Sequence, residues 1–153
     1  DITLKVAETA AAITHNHPEG IKGAQVVSAA IFMARNGASK DDIKEIISAK
    51  FNYNLDLSWD SLHQNYGWDS SCQGTVPQAI VSFLASDDFE SAIRRAISIG
   101  GDSDTLACIT GSIAEAYYKD IPAYMVSMAK SLLPVRFKKV LEMMGERGYY
   151  SVW

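Results

Sequence analysis

The run Gly100-Gly101-Asp102-Ser103-Asp104-Thr105 is the densest group of side chains in this sequence that could do chemistry. Two glycines let the backbone turn sharply and come close to a ligand. Asp102 and Asp104 set two carboxylates beside the Thr105 hydroxyl. All three are hard oxygen donors, which suit Mg²⁺ or Mn²⁺ better than zinc or copper. The same residue types also make a good helix stop followed by a good N-cap. Pattern alone is therefore compatible with metal ligation and with capping.

Two further runs carry candidate chemistry. Thr14-His15-Asn16-His17-Pro18 feeds a helix start and could hold an anion such as phosphate, or be an interhelical turn with a capping Thr or Asn. Three histidines and two cysteines are too few to expect a zinc centre. Tyr66-Gly67-Trp68 with Cys72-Gln73-Gly74-Thr75 sets aromatics among glycines. That arrangement suits stacking on a base or sugar, and equally suits Trp68 as a core plug. Cys72 has no base beside it in sequence and reads as packing. The pairs Asp41-Asp42 and Asp87-Asp88 read as capping acids. Arg94-Arg95 and Arg136–Lys139 read as solvated helix faces. Met125, Met128, Met143 and Met144 read as core filler.

The elements that must position these residues are helical throughout. Apolar residues recur at three- and four-residue spacing over 3–13, 20–36 and 39–49. Asn36-Gly37 and Gly100-Gly101 are stops, and Ser39 and Ser86 or Asp87 are starts. Residues 52–75 are expected to form a long irregular segment, interrupted by a short helix near Trp59–His63. Helices follow at about 76–84, 87–99, 102–118, from Pro122, and from Pro134 to about Gly145. The expectation is an all-α bundle of about eight helices in one domain, 1–153.

Taken together, three stretches resemble the ADP-ribosylglycohydrolase family, the group containing the dinitrogenase reductase-activating glycohydrolase and the ADP-ribosyl-acceptor hydrolases. They are THNHPEGIKGA at 14–24, GTVPQAIVSFLASDDFESAIRRAISIGGDSDTLACITGSIAEAYY at 74–118, and DIPAY at 120–124. The resemblance implies an orthogonal all-α fold with a binuclear Mg²⁺ or Mn²⁺ centre. It implies hydrolysis of the bond between the terminal ribose of ADP-ribose and a protein side chain or small acceptor. Asp102, Asp104 and Thr105 then look like metal ligands, with Asp102 and Asp104 catalytic. His15 looks like a residue of the ADP-ribose pocket, and Tyr66 and Trp68 like part of the wall near the substrate.

The family's early Gly-Asp motif, its Thr-Asp-Asp-Thr cluster and its Gly-Asn-Gly loop have no counterpart here. The chain is therefore expected to correspond to the C-terminal part of a family member, incomplete as an enzyme by itself. Its exposed apolar face is expected to meet an N-terminal fragment or a homo-oligomer mate. A catalytically inactive relative, acting as a structural or ADP-ribose-binding protein, is the alternative.

Composition bounds the rest. The 153 residues are 48% hydrophobic and 21% charged, with a net charge of −4. That balance argues against disorder and against a nucleic-acid partner, which needs a basic face. The longest apolar stretch, near Val26–Ala34, is too short to span a bilayer, so no membrane partner is expected. Two cysteines and no secretory signal make a cytoplasmic location the default. The sequence opens on Asp1 rather than Met, so more chain is expected upstream.

Overall fold

In a computed structural model the chain is described over residues 2–147. These residues form nine α-helices and no strand, which is the expected all-α class. Packing divides the chain into two compact units, Asp1–Tyr118 and Lys119–Trp153.

The first unit holds α1 (Ile2–Ala12), α2 (Pro18–Arg35), α3 (Lys40–Phe51), α4 (Trp59–Asn65), α5 (Cys72–Leu84), α6 (Phe89–Ser98) and α7 (Ser103–Tyr118). Helix α5 lies at its centre, packing on α2, α6 and α7. Thr75, Val76, Pro77, Ala79, Ile80, Val81, Ser82 and Phe83 are all buried. A helix buried on nearly every face needs small residues where it meets its neighbours. At Gly23 of α2, an added Cβ would lie 3.2 Å from both Cβ and Sγ of Cys72. Cys72 is thus a packing residue, as its sequence context suggested. Ala30, Ala34, Ala79, Ala92, Ala96 and Ala114 extend the small-residue contacts through the core.

Side-chain caps fix most helix starts. Ser39 and Asp42 form a reciprocal capping box at α3, and Asp88 and Ser91 do the same at α6. In these boxes each partner accepts or donates to the other's backbone, satisfying N–H groups that the helix leaves open. Pro18 opens α2 at its first position, where its missing N–H is not needed. Lys40 ties α3 to the far end of α5: its ammonium donates to the Leu84 carbonyl at 3.2 Å and to the Ser86 carbonyl. The rings of Phe83, Tyr117 and Tyr118 lie 5.2, 5.8 and 5.4 Å from that ammonium.

Some expectations change. The irregular segment is shorter than 52–75, because α5 begins at Cys72. Ser71 caps it by accepting from the Gly74 amide at 3.0 Å, and the Ser71 amide donates to Asp69 Oδ1 at 2.7 Å. Gly74, which looks like a loop glycine, sits inside the helix because the Asp69 carboxylate fills the place of its Cβ. Arg95 is no solvated arginine: its guanidinium stacks 4.7 Å from the Trp59 ring, and its Nε is buried. Trp68 plugs no core; it is 75% exposed.

The second unit holds α8 (Ala123–Leu132) and α9 (Val135–Glu146), each entered through a proline, Pro122 and Pro134. No residue of α8 or α9 is buried. Met128 and Met143 are exposed, and Met125 and Met144 only half-buried, so these methionines do not fill a closed core.

Candidate functional site

Helix α6 runs out at Ser98, and the chain then turns through two consecutive left-handed residues, Gly100 (φ +83°) and Gly101 (φ +66°). A side chain there costs about 1–2 kcal/mol per residue. Gly101 is constrained a second time. An added Cβ would meet Tyr66 Cε1 at 2.5 Å and the Gly67 carbonyl oxygen at 3.0 Å. The Tyr66 ring is therefore seated directly on the bend. The Ser103 amide closes the turn on the Gly101 carbonyl at 3.0 Å, and the Asp102 carbonyl accepts from the Leu106 amide at 3.0 Å, which starts α7.

This geometry gathers charge. Asp102 is half-buried, while Asp104 and Thr105 are exposed. The Asp104 carboxyl is held below the usual aspartate range, first by a hydrogen bond with the Asp102 side chain and then by the Thr105 amide. That amide donates to Asp104 Oδ1 at 2.9 Å. The Tyr66 phenol is pushed up, chiefly by burial, with the negative charges of Asp69 and Asp102 adding to the effect against a hydrogen bond with Thr75.

His15 belongs to another surface. Its Nδ1 lies 2.8 Å from Thr14 Oγ1. It lines an open concavity of about 440 Å³ with Asn16, His17, Glu19, Cys72 and Gln73. The first turns of α2 and α5 meet there. His17 caps α2, its Nδ1 accepting from the Glu19 amide at 3.2 Å. Among the described residues, none of the acidic bend lines this concavity. The structure thus brings Tyr66 to Gly101 and Asp102, groups His15 with the start of α5, and leaves Trp68 in solvent.

One polar cluster escaped the sequence reading. Tyr53, in the segment after α3, is 7% exposed. Its phenol is pushed up to about 12, first by burial, then by Glu19 and Cys72. Lys22 Nζ stands 4.3 Å from the Tyr53 ring centre and 3.6 Å from Glu19 Oε2. Tyr53 OH and Gln78 Oε1 are buried without a hydrogen-bond partner, a state that costs about 1–3 kcal/mol per group, while the buried Glu19 Oε2 is ion-paired with Lys22. The Glu19-x-x-Lys22 spacing is the one signal in the sequence that could have pointed to it.

Ligand chemistry at the bend fits a hard divalent cation, since every donor is oxygen. The number of donors is small. Among the described residues, no three His, Cys, Asp or Glu side chains gather as a metal-binding group. No helix among them is long and apolar enough to cross a membrane.

The sequence model of the ADP-ribosylglycohydrolase family matches residues 1–148. The chain belongs to this family. An uncharacterised protein of Archaeoglobus fulgidus is 29% identical over 136 residues, covering 80% of this chain and 45% of that protein. A protein of Acanthamoeba polyphaga mimivirus with a provisional ADP-ribosyl glycohydrolase name is 28% identical over 145 residues, covering 80% of this chain and 44% of that protein. The chain thus spans under half the length of these curated relatives. The family match covers nearly all of this chain and does not bear out its assignment to a C-terminal half.

Proposed function

We propose that this ADP-ribosylglycohydrolase domain takes part in metal-dependent hydrolysis of the bond joining ADP-ribose to a protein side chain or small acceptor. In the reaction, the bond from the anomeric carbon of the terminal ribose to the acceptor atom breaks. The oxygen of water ends on that carbon, one of its protons ends on the acceptor, and the other stays on the new hydroxyl. Asp102 and Asp104 would hold Mg²⁺ or Mn²⁺, with the Thr105 hydroxyl assisting. The cation, when bound, polarises ribose hydroxyls and lowers the pKa of a bound water. Tyr66 positions the bend through its ring on Gly101. His15 and the exposed Trp68 contribute to the ADP-ribose pocket and its wall.

One observation carries the proposal: a double left-handed glycine turn, with the Tyr66 ring seated on it, sets Asp102 and Asp104 together at the start of α7. A plain helix cap needs only one carboxylate and no second left-handed glycine. A complete Mg²⁺ sphere takes six oxygens, so this chain is expected to bind Mg²⁺ weakly and to turn over little or nothing alone. The same small donor count favours, as a second reading, a relative that binds ADP-ribose without cleaving it.

Calorimetric titration with Mg²⁺ and a release assay on ADP-ribosyl-arginine test both. Weak binding abolished by Asp102→Asn supports the metal role. If that variant changes only thermal stability, the bend is a cap. Vigorous turnover by the isolated chain contradicts an incomplete site. Binding of free ADP-ribose with no product selects the second reading.

A further inference from the structure

Helix α4 has only seven residues, yet Trp59, His63 and the capping Tyr66 all reach the chain that leads into the acidic bend. They stand at i, i+4 and i+7, on one side of the helix. The Trp59 indole donates to the Arg95 carbonyl at 3.3 Å. His63 Nδ1 lies 2.9 Å from the Ser98 carbonyl oxygen. The Tyr66 ring sits on Gly101. The contacts step along the chain by about one helical turn each, from Arg95 to Ser98 to Gly101.

A helix leaves its last carbonyls without a helical partner. At the end of α6 the Ile97 carbonyl is met by the Gly100 amide at 3.2 Å. That of Arg95 is met by Trp59 and by the Ser98 hydroxyl at 3.0 Å, and that of Ser98 by His63. A carbonyl oxygen only accepts, so His63 Nδ1 carries the proton of this bond. A stack on the Trp59 ring, with centroids 4.9 Å apart and planes at 13°, holds the imidazole for it. The Arg95 guanidinium, 4.7 Å from the same ring, ties that stack back to α6. From Ser98 the chain passes through Ile99 into the two glycines. Glycine lets the chain turn but does not hold it, so the direction of the bend depends on what fixes its flanks. We propose that His63 is a positioning residue for the acidic bend: its bond to the Ser98 carbonyl fixes the last turn of α6, and with it the place where Asp102 and Asp104 are presented. The consequence for metal rests on the reading of the bend as a Mg²⁺ site; the consequence for the order of the bend does not.

Two variants separate the hydrogen bond from the ring. His63→Asn keeps an N–H donor close to the Nδ1 position, and His63→Phe keeps a ring to stack on Trp59 without a donor. Amide hydrogen exchange of the whole chain in EDTA reads the bend through Ser103 and Leu106, whose amides close on the Gly101 and Asp102 carbonyls. His63→Phe speeds both about tenfold, the size of one lost hydrogen bond, and weakens Mg²⁺ binding by a similar factor in calorimetric titration. His63→Asn stays close to the parent in both. Ser39→Ala, which removes a cap from α3, lowers stability and moves neither. Should His63→Phe fail to fold by circular dichroism, His63→Ala replaces it. Unchanged exchange in His63→Phe overturns the proposal, as does exchange in His63→Asn as fast as in His63→Phe, or equal acceleration by Ser39→Ala. Faster exchange with Mg²⁺ affinity intact overturns it too. A parent that takes up no Mg²⁺, while His63→Phe still speeds exchange, refutes the metal reading and leaves His63 as the brace of the bend.

Discussion

At Gly101 two constraints coincide, a left-handed backbone and a tyrosine ring where a side chain would go. Gly100 has only the first, since nothing lies within 4 Å of its Cβ position. Gly100→Ala should therefore cost about 1–2 kcal/mol, the left-handed penalty alone. Gly101→Ala should cost more, because Tyr66 must also move, and it should weaken Mg²⁺ binding. Thermal melts of both variants with and without Mg²⁺ check this, and equal losses would mean that Tyr66 does not brace the bend. The acidic bend was legible in sequence because its donors are contiguous. The seat of Tyr66 on Gly101 was not, since 35 positions separate the two residues and no periodicity links them. Glu19 and Tyr53 were missed for the same reason. The exposure of Trp68 was not legible, because an aromatic between glycine and aspartate looks the same in sequence whether it plugs a core or stands in solvent.

Helix boundaries were legible wherever a cap used neighbouring residues. Ser39 and the Asn36-Gly37 stop both act within four positions of themselves, whereas the start of α6, expected at Ser86 or Asp87, is capped by Asp88. Ser39→Ala should cost about 1 kcal/mol, read from urea melts. Helix α5 began earlier than its pattern suggested, because its cap draws on Asp69 as well as Ser71. Three capping carboxylates also set the acid behaviour. Asp42, Asp69 and Asp88 are all held below the ordinary value of 3.8, chiefly by hydrogen bonds from Ser39, Ser71 and Ser91. Their folded pKa values lie under the unfolded ones, so their contribution is present above the unfolded value and fades as pH falls through the folded one. Stability should decline as pH drops from about 5 to about 2. Asp88→Asn should lower stability at neutral pH and flatten that decline. In the core, Phe83 is fully buried against Tyr117 and Tyr118. Phe83→Ala should cost about 3–5 kcal/mol, and a smaller loss would mean that the two tyrosines collapse into the space.

Over the whole molecule, charge and packing divide together. Residues 1–118 carry eight basic against fifteen acidic side chains, and residues 119–153 carry six against three. The family was legible in sequence because its motifs are local runs. The division into two units was not, since the helical periodicity of α8 and α9 matches that of the buried helices. Lys40 gives this architecture a built-in reporter. Its ammonium is anchored on two carbonyls at and just past the end of α5 and ringed by three aromatics. Trypsin must draw a lysine out into its own specificity pocket before it can cut. Cleavage after Lys40 should therefore track the opened population rather than the native one. The appearance rate of that single fragment would serve as a clock for the opening of the first unit.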